Sequence, residues 1–221
     1  MKIVCKAMLR KWRGTRIRIR VNDPESLEWG IYNLMLAEGH PKCIIDWGDG
    51  SSTEATSGEC HHAYAQAGEY EVRISDDIDE LRCLLRGGST VYQLLYAPMI
   101  REFRTDAALL AKIATDCFYK AVNLAAFHCE GSGVREIAIR SFNYCTSLVG
   151  RLDLPGVENI GTDAFKESTG ITELHFSNDV EEAISALPGF ATAFGASNAV
   201  CVFDLMATRN GQGAGTSPCR P

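Results

Sequence analysis

Apolar and polar residues alternate without a break over Thr15 to Val21, TRIRIRV: Ile17, Ile19 and Val21 fall on one face, three arginines on the other. A period of two predicts a strand with one face on a core. The turn residues of VNDPES follow, and then two more strand candidates, IYNLML and KCIIDW, separated by AEGHP. GEYEVRIS, Gly68 to Ser75, alternates again, with Tyr70, Val72 and Ile74 on one face. Short strands divided by turn signals predict a small antiparallel sandwich over residues 1–83.

The second half follows a longer period. LAKIATDCFYKAVNL from Leu110, VREIAIRSFNYCTSL from Val134 and VENIGTDAFKESTGI from Val157 align in three columns. These are Ile113, Ile137 and Ile160; Phe118, Phe142 and Phe165; and Leu124, Leu148 and Ile171, spaced 24 and then 23 residues apart. Agreement in three independent columns predicts a solenoid, over residues 84–205. The phenylalanines are expected to stack along its interior. The small residues around them (Cys117, Ser141 and Ala164 before, Ala121, Cys145 and Ser168 after) should let the coils approach. Each repeat closes on alternating apolar residues, Phe127 and Cys129, Leu152 and Leu154, Leu174 and Phe176, which predict a parallel ladder. At VGR the second repeat shifts by one residue, as a bulge or insertion would. A degenerate fourth copy runs from Val180 through Phe190 or Phe194 to Val200 and Val202, and PMIREF, Pro98 to Phe103, reads as an incoming strand. The glycine-rich tail, 206–221, is expected to be disordered.

Candidate chemistry is sparse. CIIDWGDGSST places Asp46 and Asp49 among glycines, but calcium needs six to eight oxygen ligands, whereas Asp-Gly between extended segments signals a primed hairpin turn. The aspartates are therefore read as turn residues bonding nearby amides. Cys60, His61 and His62 in ECHHAY are poor metal ligands together, since adjacent strand residues face opposite ways. Neither order nor spacing supports Ser51, His62 and Asp46 as a catalytic triad. The nine cysteines form no CxxC pair and suit neither a disulfide framework nor a zinc ribbon, so most read as small apolar fillers. A net charge of -6 argues against nucleic acid. The basic run from Lys2 to Arg20, with Lys6, Arg10, Lys11, Arg13, Arg16 and Arg18, is expected to guard a strand edge. No segment approaches the length of a membrane span, and MKIVCKAMLRKWRG interrupts its apolar run with Lys6 and Arg10, unlike a signal peptide. No cofactor is expected.

IDWGDGSS, HHAY and AGEYEVRI, in that order, resemble the PKD-like domain, an immunoglobulin-like sandwich of surface and secreted proteins. Trp47 to Gly50, His62 to Tyr64, and Gly68, Tyr70 and Val72 carry the likeness. The pattern I-x-x-x-x-F-x-x-C-x-x-L closed by a short strand resembles the BspA-type leucine-rich repeat. Together the resemblances imply a mainly β fold with short helices: a small immunoglobulin-like sandwich followed by a leucine-rich-repeat solenoid. They imply a non-enzymatic bacterial surface-type protein that binds a protein or glycan, with cell-surface or secreted localisation. A structural part of a phage particle or surface layer is the alternative. By alternation His128, Arg151, Asp153, Glu173 and His175 should face outward on the solenoid strands, making them the candidate ligand contacts.

Overall fold

The computed structural model describes residues 14–22, 28–35, 43–55, 58–75, 80–83, 97–129, 131–176, 193, 200–203 and 215–218. The first half supplies β1 (Thr15–Val21), β2 (Glu28–Met35), β3 (Cys43–Asp46), β4 (Ser52–Ala55), β5 (Gly58–Ala63), β6 (Gly68–Ile74) and β7 (Glu80–Cys83). The second supplies β8 (Ile100–Thr105), β9 (Lys112–Ile113), β10 (Ala126–His128), β11 (Glu136–Ile137), β12 (Gly150–Leu154), β13 (Asn159–Ile160), β14 (Ile171–Phe176), β15 (Val200–Phe203) and β16 (Gly215–Pro218). In β1 the alternation works as expected, with Ile17, Ile19 and Val21 buried. Val72 and Ile74 of β6 are buried too, and Tyr70 packs beside them half-buried.

The two halves share their sheets. One sheet has the order β10-β8-β1-β6-β3-β4, the other β13-β11-β9-β7-β2-β5. β8 pairs antiparallel with β1 on one side and parallel with β10 on the other. β7 likewise pairs antiparallel with β2 and parallel with β9. Both sheets therefore run from the first half into the repeats, across the boundary expected between residues 83 and 84. Buried side chains from Ile17 to Ala193 form one apolar cluster.

Each column of the repeat has its own place. The isoleucine column forms β9, β11 and β13, with Ile113 opposite Ile137 and Ile137 opposite Ile160. The phenylalanine rings stack: Phe118 lies 5.0 Å from Phe142, and Phe142 lies 5.2 Å from Phe165. Phe103 of β8 and Phe127 of β10 extend that ring cluster toward the first half. The shift expected at VGR is a register break between Gly150 and Arg151, with Gly150 at φ 77°. After it β12 starts a separate sheet, β12-β14-β15-β16.

Several expectations change. The described residues hold a 3-10 turn at Ala97–Met99 and a helical Ala193, and no longer helix. After each isoleucine of the column the chain makes a turn whose second and last residues are left-handed, and not a short helix. Gly215–Pro218, inside the tail expected to be disordered, pairs antiparallel with β15, whose exposed backbone groups offer polar residues a partner. Arg16, Arg18 and Arg20 do not guard an edge, because β1 lies between β6 and β8. The rest of that basic run, and Val180, Phe190 and Phe194 of the fourth repeat, lie outside the described residues.

Candidate functional site

The five candidate contacts lie on strands of two sheets: His128 on β10, beside β8, and Arg151 and Asp153 on β12 with Glu173 and His175 on β14, a parallel pair. The register places Arg151 opposite Glu173 and Asp153 opposite His175. Arg151 is exposed, and His128, Asp153 and Glu173 are half-exposed, as alternation requires. His175 is not outward. It is 8% exposed, because Leu174, His175 and Phe176 are buried in succession and the alternation of β14 stops. β15 adds on that side, with Val202 opposite His175. The charges on this face satisfy one another: Arg151 Nε donates to Asp153 Oδ1 at 2.6 Å, and the His175 imidazole pairs with Glu173.

The WGDG segment is a loop of five residues, Trp47 to Ser51, longer than the primed hairpin expected. Trp47 N donates to Ser51 O at 3.1 Å, while the indole is buried and donates to Thr53 Oγ1 at 2.9 Å. Gly48 and Gly50 take φ of 82° and 94°, and a Cβ on Gly48 would meet Glu71 O at 2.6 Å. Asp46 accepts from Gly48 N and Asp49 from Ser51 N, the turn role read from the sequence.

One serine, one histidine and one aspartate do meet here, with Asp49 in place of Asp46. Ser51 Oγ donates to Asp49 Oδ1 at 2.6 Å, and His62 Nε2 lies 2.6 Å from Asp49 Oδ2. A nucleophilic triad puts the imidazole between serine and carboxylate, one ring nitrogen for each. Here the same Nε2 faces both Asp49 and, at 3.4 Å, Ser51, and the hydroxyl proton is directed at the carboxylate. The group clasps the loop and does not activate an oxygen. Burial pushes the Asp49 carboxyl up, but hydrogen bonds from Ser51 and His62 outweigh it and hold it down at about 2. The clasp extends inward: His62 stacks on Trp47, and Tyr64 Oη donates to Trp47 O at 2.9 Å. Burial raises the Tyr64 phenol above its usual range.

Within the repeats, the turn segments form a third ladder that no hydrophobic period announces. Asp116, Phe118 and Lys120 donate their amides to the carbonyls of Ile139, Ser141 and Asn143. Arg140, Phe142 and Tyr144 repeat this onto Thr162, Ala164 and Lys166. Left-handed Asp116, Lys120, Arg140, Tyr144, Asp163 and Glu167, φ 55–61°, recur at the second and last positions of each turn. The next rung runs from Phe165 N to Ala193 O, which aligns Ala193 with Ala164 and makes Phe194, by sequence, the fourth counterpart of Phe165. The small residues also bond between coils. Cys145 Sγ donates to Phe118 O at 3.2 Å, and Ser168 Oγ donates to Phe142 O at 2.5 Å. Burial raises the Cys145 thiol well above its usual range, so this cysteine is a packing group.

Among the described residues, no three His, Cys, Asp or Glu side chains group as metal ligands, and no helix is long and apolar enough to cross a membrane. No curated protein and no solved structure matches the chain. Residues 108–186 match the family described as the BspA type leucine rich repeat region, and the repeat part of the chain is a β-solenoid.

Proposed function

We propose that the chain is a non-enzymatic binding module, in which the solenoid presents a rigid face to a protein or glycan ligand. The observation that carries this reading is the bonding of coil to coil along all three repeats by β9-β11-β13 and the turn ladder, with β12-β14 adding a third side between the second and third coils. Such a stack holds outward side chains in fixed rows, so little conformational entropy remains to be lost on binding. The contact residues are His128, Arg151, Asp153 and Glu173, with His175 setting the position of Glu173 from beneath. The strands of the first half form a PKD-like sandwich that serves as the base of the solenoid, and the protein works at a cell surface.

The test has two arms. Glycan arrays and extracellular proteins are screened with the wild type and with a variant carrying alanine at His128, Arg151, Asp153 and Glu173. A ligand bound by the wild type and lost by the folded variant supports the reading; one retained by the variant moves the contact elsewhere. Protease shaving of intact source cells should release peptides of this chain. Peptides found only after lysis or in particles, with concentration-dependent self-association in sedimentation, would establish the assembly role instead.

A further inference from the structure

The arginines of β1 have lost their expected explanation, since β1 is a central strand. The register makes their placement stranger. Arg16 lies opposite Arg73 on β6 and opposite Arg104 on β8, and His128 of β10 lies opposite Arg104 in turn. Like charges directly opposite one another weaken a sheet. The chain has 28 acidic residues against 22 lysines and arginines, so such a row is not forced by composition.

In the neighbouring row, carboxylates hold the guanidinium groups in place. Arg18 pairs with Glu102 at 3.0 Å, and Arg104 reaches the same carboxylate at 3.6 Å. Arg73 Nε donates to Glu71 at 2.8 Å. Between them lies a depression of about 210 Å³ lined by Arg16, Arg18, Glu71, Glu102 and Arg104. All five are charged. A peptide or a lipid would bring apolar groups that find no counterpart here, whereas a compact hydrophilic anion would.

We propose that this depression binds a small, multiply charged oxyanion, a polycarboxylate or a phosphate ester, through Arg16 with Arg18 and Arg104. The planar guanidinium matches either oxyanion with two parallel hydrogen bonds. Glu71 and Glu102 position the arginines in advance. The site lies on β1, β6 and β8, apart from Arg151, Asp153 and Glu173 of the solenoid face.

Calorimetric titration with citrate and with inorganic phosphate, at ionic strength held constant with sodium chloride, tests this on the full chain. Saturable binding is expected, and the tighter ligand identifies carboxylate or phosphate chemistry. Arg16→Gln should weaken binding roughly 10- to 100-fold, the effect of losing a charged hydrogen-bonding partner. Arg104→Gln, on a different strand, should weaken binding as well. The proposal is overturned if neither anion binds beyond the ionic-strength control, or if both variants bind as the wild type does.

Discussion

Replacing Phe142 with alanine tests the core and its continuity at once. The ring is wholly buried and lies 5.0 Å from Phe118, 4.7 Å from Phe127 and 5.2 Å from Phe165. Truncating a buried phenylalanine costs about 3–5 kcal/mol through lost transfer energy and the cavity left behind. Three ring contacts, each worth about 0.5–1.5 kcal/mol beyond area, place this site at the upper end of that range. Phe142→Leu keeps most of the apolar volume and should cost only about 1–2 kcal/mol. Against a typical domain stability of about 5–15 kcal/mol, the alanine variant loses a third or more. Urea unfolding should be followed both by circular dichroism and by tryptophan fluorescence. The three tryptophans, Trp12, Trp29 and Trp47, all lie in the first half of the sequence. If the shared sheets make one cooperative unit, the tryptophan transition moves to lower urea with the dichroism, at unchanged slope. A loss below about 1 kcal/mol refutes the packing. A tryptophan transition that stays in place while the dichroism shifts refutes the continuity of the core.

Four further outcomes are expected. Gly161→Ala should cost about 1–3 kcal/mol in the same assay, because its Cβ would meet Ile139 N at 2.5 Å and Ala138 C at 2.6 Å, backbone atoms that cannot step aside. Glu167→Gly should be neutral to stabilising by about 1 kcal/mol, since glycine takes the left-handed φ of 60° without strain but loses more chain entropy on folding. The Asp49 carboxyl is depressed to about 2 in the folded chain, from 3.8. Its stabilisation is therefore fully present above pH 4 and lost as pH falls toward 2; Asp49→Asn should flatten thermal melts over that window by about 1 kcal/mol, given its partial exposure. Five of the nine cysteines, Cys43, Cys60, Cys117, Cys129 and Cys145, are buried. A thiol reagent on the native protein should thus label at most the other four, and labelling of a fifth before unfolding would contradict the packing.

The parts of this fold legible in sequence are those written in side-chain period. Ile17, Ile19 and Val21 announce their strand by alternation, and Ile113, Ile137 and Ile160 announce a coil by recurrence. The turn ladder was hidden because it is made by backbone amides. Its left-handed positions hold lysine, arginine, tyrosine, glutamate and aspartate, and only aspartate hints at that conformation. The fusion of the halves was hidden because alternation states which face is buried and not which strand lies alongside. Nothing in TRIRIRV tells that IREFRT, from another part of the chain, will pair with it. For the same reason the arginines were misread as an edge. His175 failed where a strict period of two was extended across β14, whose last three residues are all buried. The turn roles of Asp46 and Asp49 in the WGDG loop are legible in sequence, whereas the meeting of Ser51, His62 and Asp49 depends on β5 lying beside the loop, which no spacing states.

The double pairing of β8 and β7 also fixes an order in time. A chain made from its N-terminus completes β1 and the β2–β7 pair before the first repeat exists, leaving two sheet edges open side by side. β8 and then β10 extend the β1 edge, and each coil that emerges adds a strand beyond β7, so the slow search for a first coil, which burdens a free-standing solenoid, is replaced by growth on a finished template. Lineages could lengthen or shorten the stack at its far end without disturbing that seed.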